Sequence, residues 1–188
     1  MTTTATALGP TVRWTGLSDP LVRPLLDELA LEYATRYEGI LAADEIRAEL
    51  DHYPAAEFAA PGGGLLLLVQ DGQPVAGGAF RRRVEAELGD ARWRERSEGR
   101  DEHGVPTVPT AELKRIWTHH AHRRRGHAAR VVVELERRAA RRGYRRIYLT
   151  TGPRQPEAVA LYLSTGYTPL FDPAADATGP LPFEKWVR

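Results

Sequence analysis

The sequence contains no cysteine, so disulfides, thiolate metal sites, iron–sulfur clusters and a cysteine nucleophile are all excluded. It also has no long hydrophobic run: the longest aliphatic stretch, Leu65 to Val69, is far shorter than a bilayer span. The first ten residues carry neither lysine nor arginine and no apolar block, so no secretory signal is visible. We therefore expect a cytoplasmic protein without a membrane partner.

A large excess of one charge is also lacking, since the chain has 26 basic and 25 acidic side chains and a net charge of +1. Residues 1–70 nevertheless hold 4 basic and 10 acidic side chains, whereas residues 71–146 hold 19 basic and 11 acidic ones. This asymmetry indicates either an anionic ligand bound beside a cationic one or a mere preference for arginine. A nucleic-acid-binding module built on Arg81–Arg83 would need a larger basic surface, so no nucleic acid partner is expected.

The chain has 188 residues, of which 42% are apolar, as is typical of one globular domain. We expect residues 1–10 to form a flexible tail and residues 11–188 to form the domain. Within it, residues 85–110 are highly charged and contain five glycine or proline residues, which predicts a long exposed loop. A loop of that length is uncommon inside a compact domain, so we expect it to be functional or partly disordered.

Hydrophobic periodicity and turn residues predict strands and helices that alternate in the second half, which implies a parallel strand pair with helices packed on the sheet. The first helix is expected after the Asp19-Pro20 cap, and Pro24 favours a later start. The predicted helices cover residues 20–37, 43–52, 127–142 and 156–165. The predicted strands cover residues 11–15, 65–70, 75–84, 111–118, 144–150, 167–170 and 183–187.

The junction between the strand 111–118 and the helix 127–142 is the most informative segment. Three consecutive arginines precede Gly126 there, directly before the helix begins. A helix N-terminus presents unpaired backbone donors, a glycine lets a ligand approach the backbone, and arginine adds charge-assisted donors. The segment is neither a Walker loop nor a GxGxxG turn. Phosphate binding is one interpretation, and a solvated arginine run at a helix start is the other.

Three blocks between Ala111 and Tyr167 resemble the GNAT family of N-acetyltransferases, in the family's order and spacing. The family's loop signature, Gln/Arg-x-x-Gly-x-Gly/Ala, is matched by Arg123, Gly126 and Ala128. Upstream, Ala111 to Thr118 (AELKRIWT) is similar to the strand that precedes this loop. Downstream, QPEAVALY at 155–162 and GY at 166–167 resemble the family block Asn-x-x-Ala-x-x-Leu-Tyr-x-x-x-Gly-Phe/Tyr.

The sequence departs from this pattern at three positions. Gln155 stands where asparagine is usual, His120 where proline is common, and Thr118 where valine is usual. Gln155 keeps the amide chemistry of the asparagine that it replaces. The N-terminal half of the chain agrees with the family only in the order of its elements.

The resemblance implies a single-domain α/β fold (α+β type), with a mixed twisted sheet of six to seven strands flanked by about four helices. It implies acetyl-CoA as the acyl donor, with its pyrophosphate on the backbone amides of Arg124 to Ala129 and its pantetheine along Ile116–Thr118. The backbone N–H of Ile116 would then stabilise the charge that develops on the thioester oxygen. No metal is implied. The residues implied in acetyl-CoA binding are Ile116, Trp117, Thr118, Arg123, Arg124, Arg125, Gly126, His127, Ala128, Ala129 and Gln155.

Two residues are implied in catalysis. Tyr162 matches the family's general acid, which would protonate the leaving thiolate, and the alternative is an aromatic side chain buried against the sheet. Glu112 lies fourteen residues before Gly126, where histone-type members carry their general base, and the alternative is an ion pair with Lys114 or a neighbouring arginine. His119 or His120 is a further candidate for the base.

The acceptor site is expected along the first helix. Glu28, Tyr33 and Tyr37 lie there, with Glu32 and Arg36, and would suit a cationic amine, while a solvated helix face is the alternative. We expect transfer to a primary amine of a small molecule. A protein lysine or N-terminus as the acceptor and a non-catalytic acyl-CoA-binding module are the alternatives, and homodimer formation is left open.

Four histidines lie close together in the sequence, at positions 119, 120, 122 and 127. On a strand end and a loop they are expected to splay apart, and no acidic residue lies among them. We therefore expect no metal site.

Overall fold

The computed structural model describes residues 9–39, 52–84, 96–97, 99–100, 104, 106–174 and 179–188. The predicted helix over 43–52 lies outside these residues except for His52, which is in a bend, and most of the predicted tail 1–10 also lies outside them. The described part of the predicted loop 85–110 includes a two-stranded ribbon, and its last residue already belongs to a strand of the main sheet.

Seven strands form one mixed sheet in the order β1-β2-β3-β6-β7-β9-β8. The neighbours are antiparallel except for β6 and β7, which are parallel. The predicted mixed sheet and its parallel pair are therefore confirmed. The strands of the sheet are β1 (Thr11–Thr15), β2 (Gly64–Gln70), β3 (Gln73–Arg82), β6 (Thr110–Thr118), β7 (Arg146–Thr151), β8 (Thr168–Pro169) and β9 (Leu181–Trp186), and the ribbon pairs β4 (Gly99–Arg100) with β5 (Pro106–Thr107).

The described residues form three α-helices: α1 (Arg23–Arg36), α2 (His127–Arg141) and α3 (Pro156–Ser164). Before α1, residues 20–22 form a 3-10 turn in which the Asp19 carboxylate accepts a hydrogen bond from the Leu21 N–H at 3.0 Å. The helix therefore starts later than Pro20, because Pro24 fits the first turn, where its missing N–H has no intrahelical partner to lose.

The core lies on both faces of the sheet, and β2 shows how. Its leucines alternate: Leu66 and Leu68 belong to the cluster that contains α2, whereas Leu65 and Leu67 belong to the cluster that contains α1. All four are at most 1% exposed. The run of apolar residues in β2 is thus that of a central strand covered by helices on both sides.

Two adjacent glycines in β3 let the helices approach the sheet closely. A Cβ atom at Gly77 would lie 2.9 Å from a methyl group of Leu25 on α1. A Cβ atom at Gly78 would lie 2.6 Å from Ile116 and 3.0 Å from Val131 on α2. Because successive side chains of a strand point to opposite faces, this pair makes room for α1 on one face and α2 on the other.

Candidate functional site

A cleft opens between β6 and β7. The two strands pair only from Thr110–Glu112 to Arg146–Tyr148, although β6 continues to Thr118 and β7 to Thr151, and all residues of both strands are described. Beyond those pairs the facing edges do not hydrogen-bond to each other. They therefore present extended backbone to whatever enters the cleft.

A β-bulge in β6 accompanies this separation. The register against β3 shifts between Gly77 and Ala79, so that two residues of β6, Arg115 and Ile116, lie opposite one residue of β3. Arg115 adopts the left-handed backbone conformation, with φ of 57°. A bulge bends its strand and leaves the extra residue outside the ladder. The Ile116 N–H therefore lies in the irregular part of the ladder, where Arg115 and Ile116 share one opposing residue of β3.

The bulge also reverses the faces of β6 on which the side chains after it lie. Glu112 and Trp117 are five residues apart and would face opposite ways in a regular strand. Trp117 belongs to the cluster on the α1 face, where its indole N–H donates to Glu28 of α1. Ile116 instead packs on the opposite face, next to Gly78.

The loop between β6 and α2 ends in Gly126, the N-cap of α2, which has φ of +77°. A Cβ atom there would meet no atom within 4 Å, so the glycine is needed for its backbone conformation and the space beside it is open. The first amides of α2, from His127 to Ala129, have no acceptor within the helix. This end of α2 therefore has the geometry of an anion-binding site.

The three arginines of the loop are not equivalent. Arg123 donates to Glu32 of α1 at 2.9 Å and to the Thr118 carbonyl at 3.3 Å, so its side chain ties the loop to neighbouring elements. All three arginines are exposed, so Arg123 differs only in that its guanidinium already has partners within the protein. The role of the three arginines as donors for a ligand stays a prediction.

His127 begins α2 beside these charges. Partial burial lowers its pKa from the usual value, and the nearby His122, Arg125 and Arg130 lower this pKa further because they disfavour another positive charge. The imidazole is therefore held more strongly in its neutral form, and its place on the first turn is the one expected for contact with a bound phosphate.

Tyr162 lies on α3 and is 5% exposed, packed against the rings of Tyr167 and Phe183. Burial raises its pKa well above the usual value, and the neighbouring Tyr33 hydroxyl contributes to the rise. The hydroxyl of Tyr162 is therefore protonated throughout the neutral range and can act as a proton donor. Its burial also fits the alternative role of an aromatic core residue.

Glu112 is buried, and three cations surround its carboxylate. Oε2 lies 2.6 Å from Arg81 Nη2 and 3.6 Å from Arg83 Nη1, and Oε1 lies 3.1 Å from Lys114 Nζ. Glu112 and Arg81 are each 2% exposed. Both oxygens of the carboxylate are thus already engaged by cations of the protein. The geometry therefore favours the ion-pair alternative, although the pair is buried rather than at the surface.

Helix α1 crosses between the two arms of the cleft. On the β6 side, Glu28 accepts hydrogen bonds from Trp117 and from the His120 N–H. On the β7 side, Arg36 donates to the Arg154 carbonyl at 2.7 Å and pairs with Glu157.

Two tyrosines of α1 also face the β7 arm. Tyr33 lies close enough to Tyr162 to affect its pKa. The Tyr37 hydroxyl sits directly where a side chain at Gly152 would be, 1.6 Å from the position of such a Cβ atom. The sequence-predicted acceptor residues are thus brought to the cleft, with Glu28 on one side and the tyrosines on the other.

The carboxylate of Glu28 is already engaged within the protein. Its partial burial would raise the pKa, but the hydrogen bonds from His120 and Trp117 outweigh this effect and lower the pKa from the usual value. A cationic amine would therefore compete with existing donors at Glu28, which makes the tyrosines the better candidates for contact with an acceptor.

Gln155 closes the turn between β7 and α3. Its side-chain carbonyl accepts from the Thr151 hydroxyl at 2.6 Å and from the Gly152 N–H at 3.3 Å. Only the amide NH₂ is left for a ligand in the cleft, so the side chain has a structural role in addition to its predicted one.

The expectation that the histidines splay apart without an acidic residue is wrong for two of them. The rings of His119 and His120 stack with their centroids 4.3 Å apart. Glu28 supplies a carboxylate next to His120, because α1 packs against the end of β6. Sequence reasoning missed this contact, since the two residues are 92 positions apart.

The sequence and the fold were compared with those of known proteins. The sequence model of the acetyltransferase (GNAT) family matches residues 26–167. No curated protein matches the sequence. Among the described residues, every helix is too short or too polar to cross a membrane.

Several crystal structures share the fold. The PaiA N-acetyltransferase of Thermoplasma acidophilum in complex with coenzyme A has a TM-score of 0.62 at 12% identity, covering 94% of this chain and 99% of that one. The GNAT domain of S. lividans PAT has a TM-score of 0.60 at 18% identity, covering 94% and 89%. The ribosomal-protein-alanine N-acetyltransferase of Brucella melitensis has a TM-score of 0.55 at 14% identity, covering 94% and 99%.

Proposed function

Because this chain belongs to the acetyltransferase (GNAT) family, we propose that it transfers an acetyl group from acetyl-CoA to a primary amine of a small molecule. The observation that carries this proposal is the separation of β6 and β7 beyond their paired ends, together with the glycine-capped start of α2 that follows β6 along the chain. The separated strand edges offer extended backbone, and the helix terminus offers unpaired amides. An elongated ligand with amides and a pyrophosphate fits both features, because its amides can pair with the strand edges and its pyrophosphate with the helix terminus.

The residues of the cleft fit acetyl-CoA, which would supply an acyl group activated as a thioester. The amides from Arg124 to Ala129 would bind the pyrophosphate, with the exposed Arg124 and Arg125 adding charge. The backbone of Ile116–Thr118 would bind the amides of pantetheine, and Arg123 would hold the loop against α1. From the β7 side, the NH₂ group of Gln155 would also donate to pantetheine.

The proposed reaction needs few protein groups. The Ile116 N–H, which lies at the bulge of β6, would stabilise negative charge on the acyl oxygen. Tyr162 would donate its proton to the leaving thiolate, since the hydroxyl is protonated at neutral pH. Burial raises its pKa and makes it a weaker acid, so the proposed role depends on its position at the thiolate rather than on its acidity. Since Glu112 is buried and its carboxylate pairs with Arg81 and Lys114, we assign it the role of positioning these two cations. The amine would then lose its proton to solvent before it attacks.

A small acceptor is favoured by the contacts of α1. This helix is joined to both arms of the cleft, through Glu28 and Arg36, and therefore covers one side of the opening. Tyr33 and Tyr37 would present their aromatic faces and hydroxyls to the acceptor from this side. The acceptor would therefore reach the cleft through a narrower opening beside α1, which suits a small amine better than a folded protein surface.

Release of free CoA thiol tests the proposal directly. Acetyl-CoA is mixed with polyamines, amino acids, aminoglycosides and short lysine peptides, and we expect turnover with at least one of the small amines. Turnover with the peptides alone would instead identify a protein acetyltransferase. Tight CoA binding without turnover across the whole panel would identify a non-catalytic binder, and either result would overturn the proposal.

The Tyr162→Phe variant tests the proton donor. We expect kcat to fall by about 100-fold, within the range of general acid catalysis, with little change in the KM for acetyl-CoA. Tyr167→Phe is the matched control, because Tyr167 is also buried and its ring contacts that of Tyr162. Equal kcat values in the two variants would remove Tyr162 from the mechanism.

A further inference from the structure

Three side chains with metal-binding groups meet where α1 packs against the end of β6. Glu28 comes from the middle of α1, and His119 and His120 directly follow β6. One potential ligand atom from each lies within 4.8 Å of the other two. Tertiary packing brings them together, since Glu28 and His120 are 92 positions apart in the sequence.

The groups are already partly oriented. The Glu28 carboxylate accepts from the indole of Trp117, which is only 2% exposed, so this carboxylate is anchored to the core. The His120 N–H also donates to Glu28, at 3.1 Å, and the His120 Nδ1 contacts the same oxygen. The ring of His119 stacks on that of His120. Preorganisation of this kind lowers the entropic cost of binding an ion.

A divalent cation among these groups would take the place of the contact between His120 Nδ1 and Glu28. Imidazole nitrogens and carboxylates are the kinds of group that bind such ions. The cost within the protein is small. His119 would give up one hydrogen bond, the 3.2 Å contact from the Ala121 N–H to its Nδ1, and the His120 side chain is 71% exposed and free to adjust.

The donor set indicates the class of metal. Two imidazole nitrogens and one carboxylate suit Zn²⁺ and its neighbours such as Co²⁺ and Ni²⁺, whereas Mg²⁺ and Ca²⁺ prefer oxygen ligands throughout. Three protein ligands leave a fourth tetrahedral position for water or another group. His122 is next to the cluster, with its ring centroid 5.6 Å from that of His119. Its Nδ1 is buried, and it has no hydrogen-bond partner among the described residues.

We propose that Glu28, His119 and His120 form a binding site for a zinc-type divalent cation at the junction of α1 and the loop after β6. A bound ion would fasten α1 to the β6 arm of the cleft, beside the proposed pyrophosphate loop. It would stabilise the folded chain, because an ion that binds only the native state shifts unfolding by mass action. The metal site does not depend on the proposed acyl transfer, although Glu28 also lies beside the cleft.

Metal titration tests the site. The protein is prepared without a histidine tag, stripped with EDTA and dialysed, then titrated with ZnCl₂ by calorimetry and with CoCl₂ by visible absorption. We expect one ion per chain. His119→Ala and His120→Ala should each weaken binding by about 10- to 100-fold, by analogy with the loss of groups that support metal ligands. His52→Ala, which changes a histidine outside the cluster, should leave binding unchanged.

Chemical modification tests the unaltered chain as well, so the outcome does not depend on how the variants fold. Diethyl pyrocarbonate should modify His119 and His120 in the stripped protein, and ZnCl₂ should protect both while leaving His52 reactive. Absence of saturable binding, binding that survives both substitutions, or protection of neither histidine would overturn the site. Each of these results would leave the proposed acetyl transfer untouched.

Discussion

Glu112 shows how a single residue can match a family position and yet differ in its surroundings. Its place on β6 is that of a general base, but Arg81, Arg83 and Lys114 all lie near its buried carboxylate. Removing one partner of a buried ion pair leaves the other charge uncompensated. Replacing Glu112 should therefore lower the free energy of unfolding more than it lowers the rate of proton transfer.

The Glu112→Gln variant distinguishes these roles. We expect the free energy of unfolding, measured in urea, to fall by about 2 to 3 kcal/mol because Arg81 loses its 2.6 Å ion pair with Glu112. The pH–rate profile of the variant should run parallel to that of the parent. Glu134→Gln is the control, since Glu134 pairs with the exposed Arg137 of the same helix. A loss of rate that grows toward low pH would show that Glu112 is the base after all.

At the scale of elements, α2 is delimited by two glycines in the same backbone conformation. Gly126 precedes the helix with φ of +77°, and Gly143 follows it with φ of +86°. A Cβ atom at either position would meet nothing within 4 Å. The two sites therefore impose the same requirement on the backbone, but only Gly126 adjoins the proposed pyrophosphate loop.

Alanine at these two positions separates folding from binding. Each substitution should lower the free energy of unfolding by about 1 kcal/mol, the cost of a left-handed alanine. Only Gly126→Ala should also weaken CoA binding, by about tenfold, since a displaced loop loses amide contacts worth about 1.4 kcal/mol. Calorimetry with CoA measures the difference. Equal affinities for the two variants would show that the pyrophosphate lies elsewhere.

For the whole molecule, the important feature is the connection of α1 to both arms of the cleft. Glu28 and Glu32 contact residues at the end of β6 and in the following loop, while Arg36 reaches the turn before α3. The Arg154 side chain completes the link by donating to the Arg36 carbonyl at 2.8 Å. The position of α1 therefore depends on both sides of the sheet's opening.

Arg36→Ala should loosen this link without unfolding the domain. The exposed part of the network is worth about 1 kcal/mol or less, so the melting temperature should change little. Hydrogen exchange should instead accelerate in the last turns of α1 while α2 keeps its protection. Arg137→Ala on α2 is the control, because its pair with Glu134 is local to that helix. Unchanged exchange in α1 would show that other contacts hold the helix.

The elements and the glycine turn before α2 were predictable from the sequence because their signals are local. The continuous apolar run of β2, the aspartate and proline before α1 and the glycine before α2 each act within a few residues. The ends of elements were less well predicted. For example, β9 begins at Leu181 rather than Phe183, since strand ends depend on the partner strand as well as on the segment itself.

The sequence alone therefore determined the family, the order of the described strands of the main sheet and of its helices, and the glycine before α2. Only the tertiary structure decided that cations enclose Glu112, that Arg123 is held by α1, and that His119 and His120 meet Glu28. The physical reason is that periodicity and capping act between neighbours along the chain. Charge pairing, burial and ligand clusters depend on segments that folding brings together from distant positions.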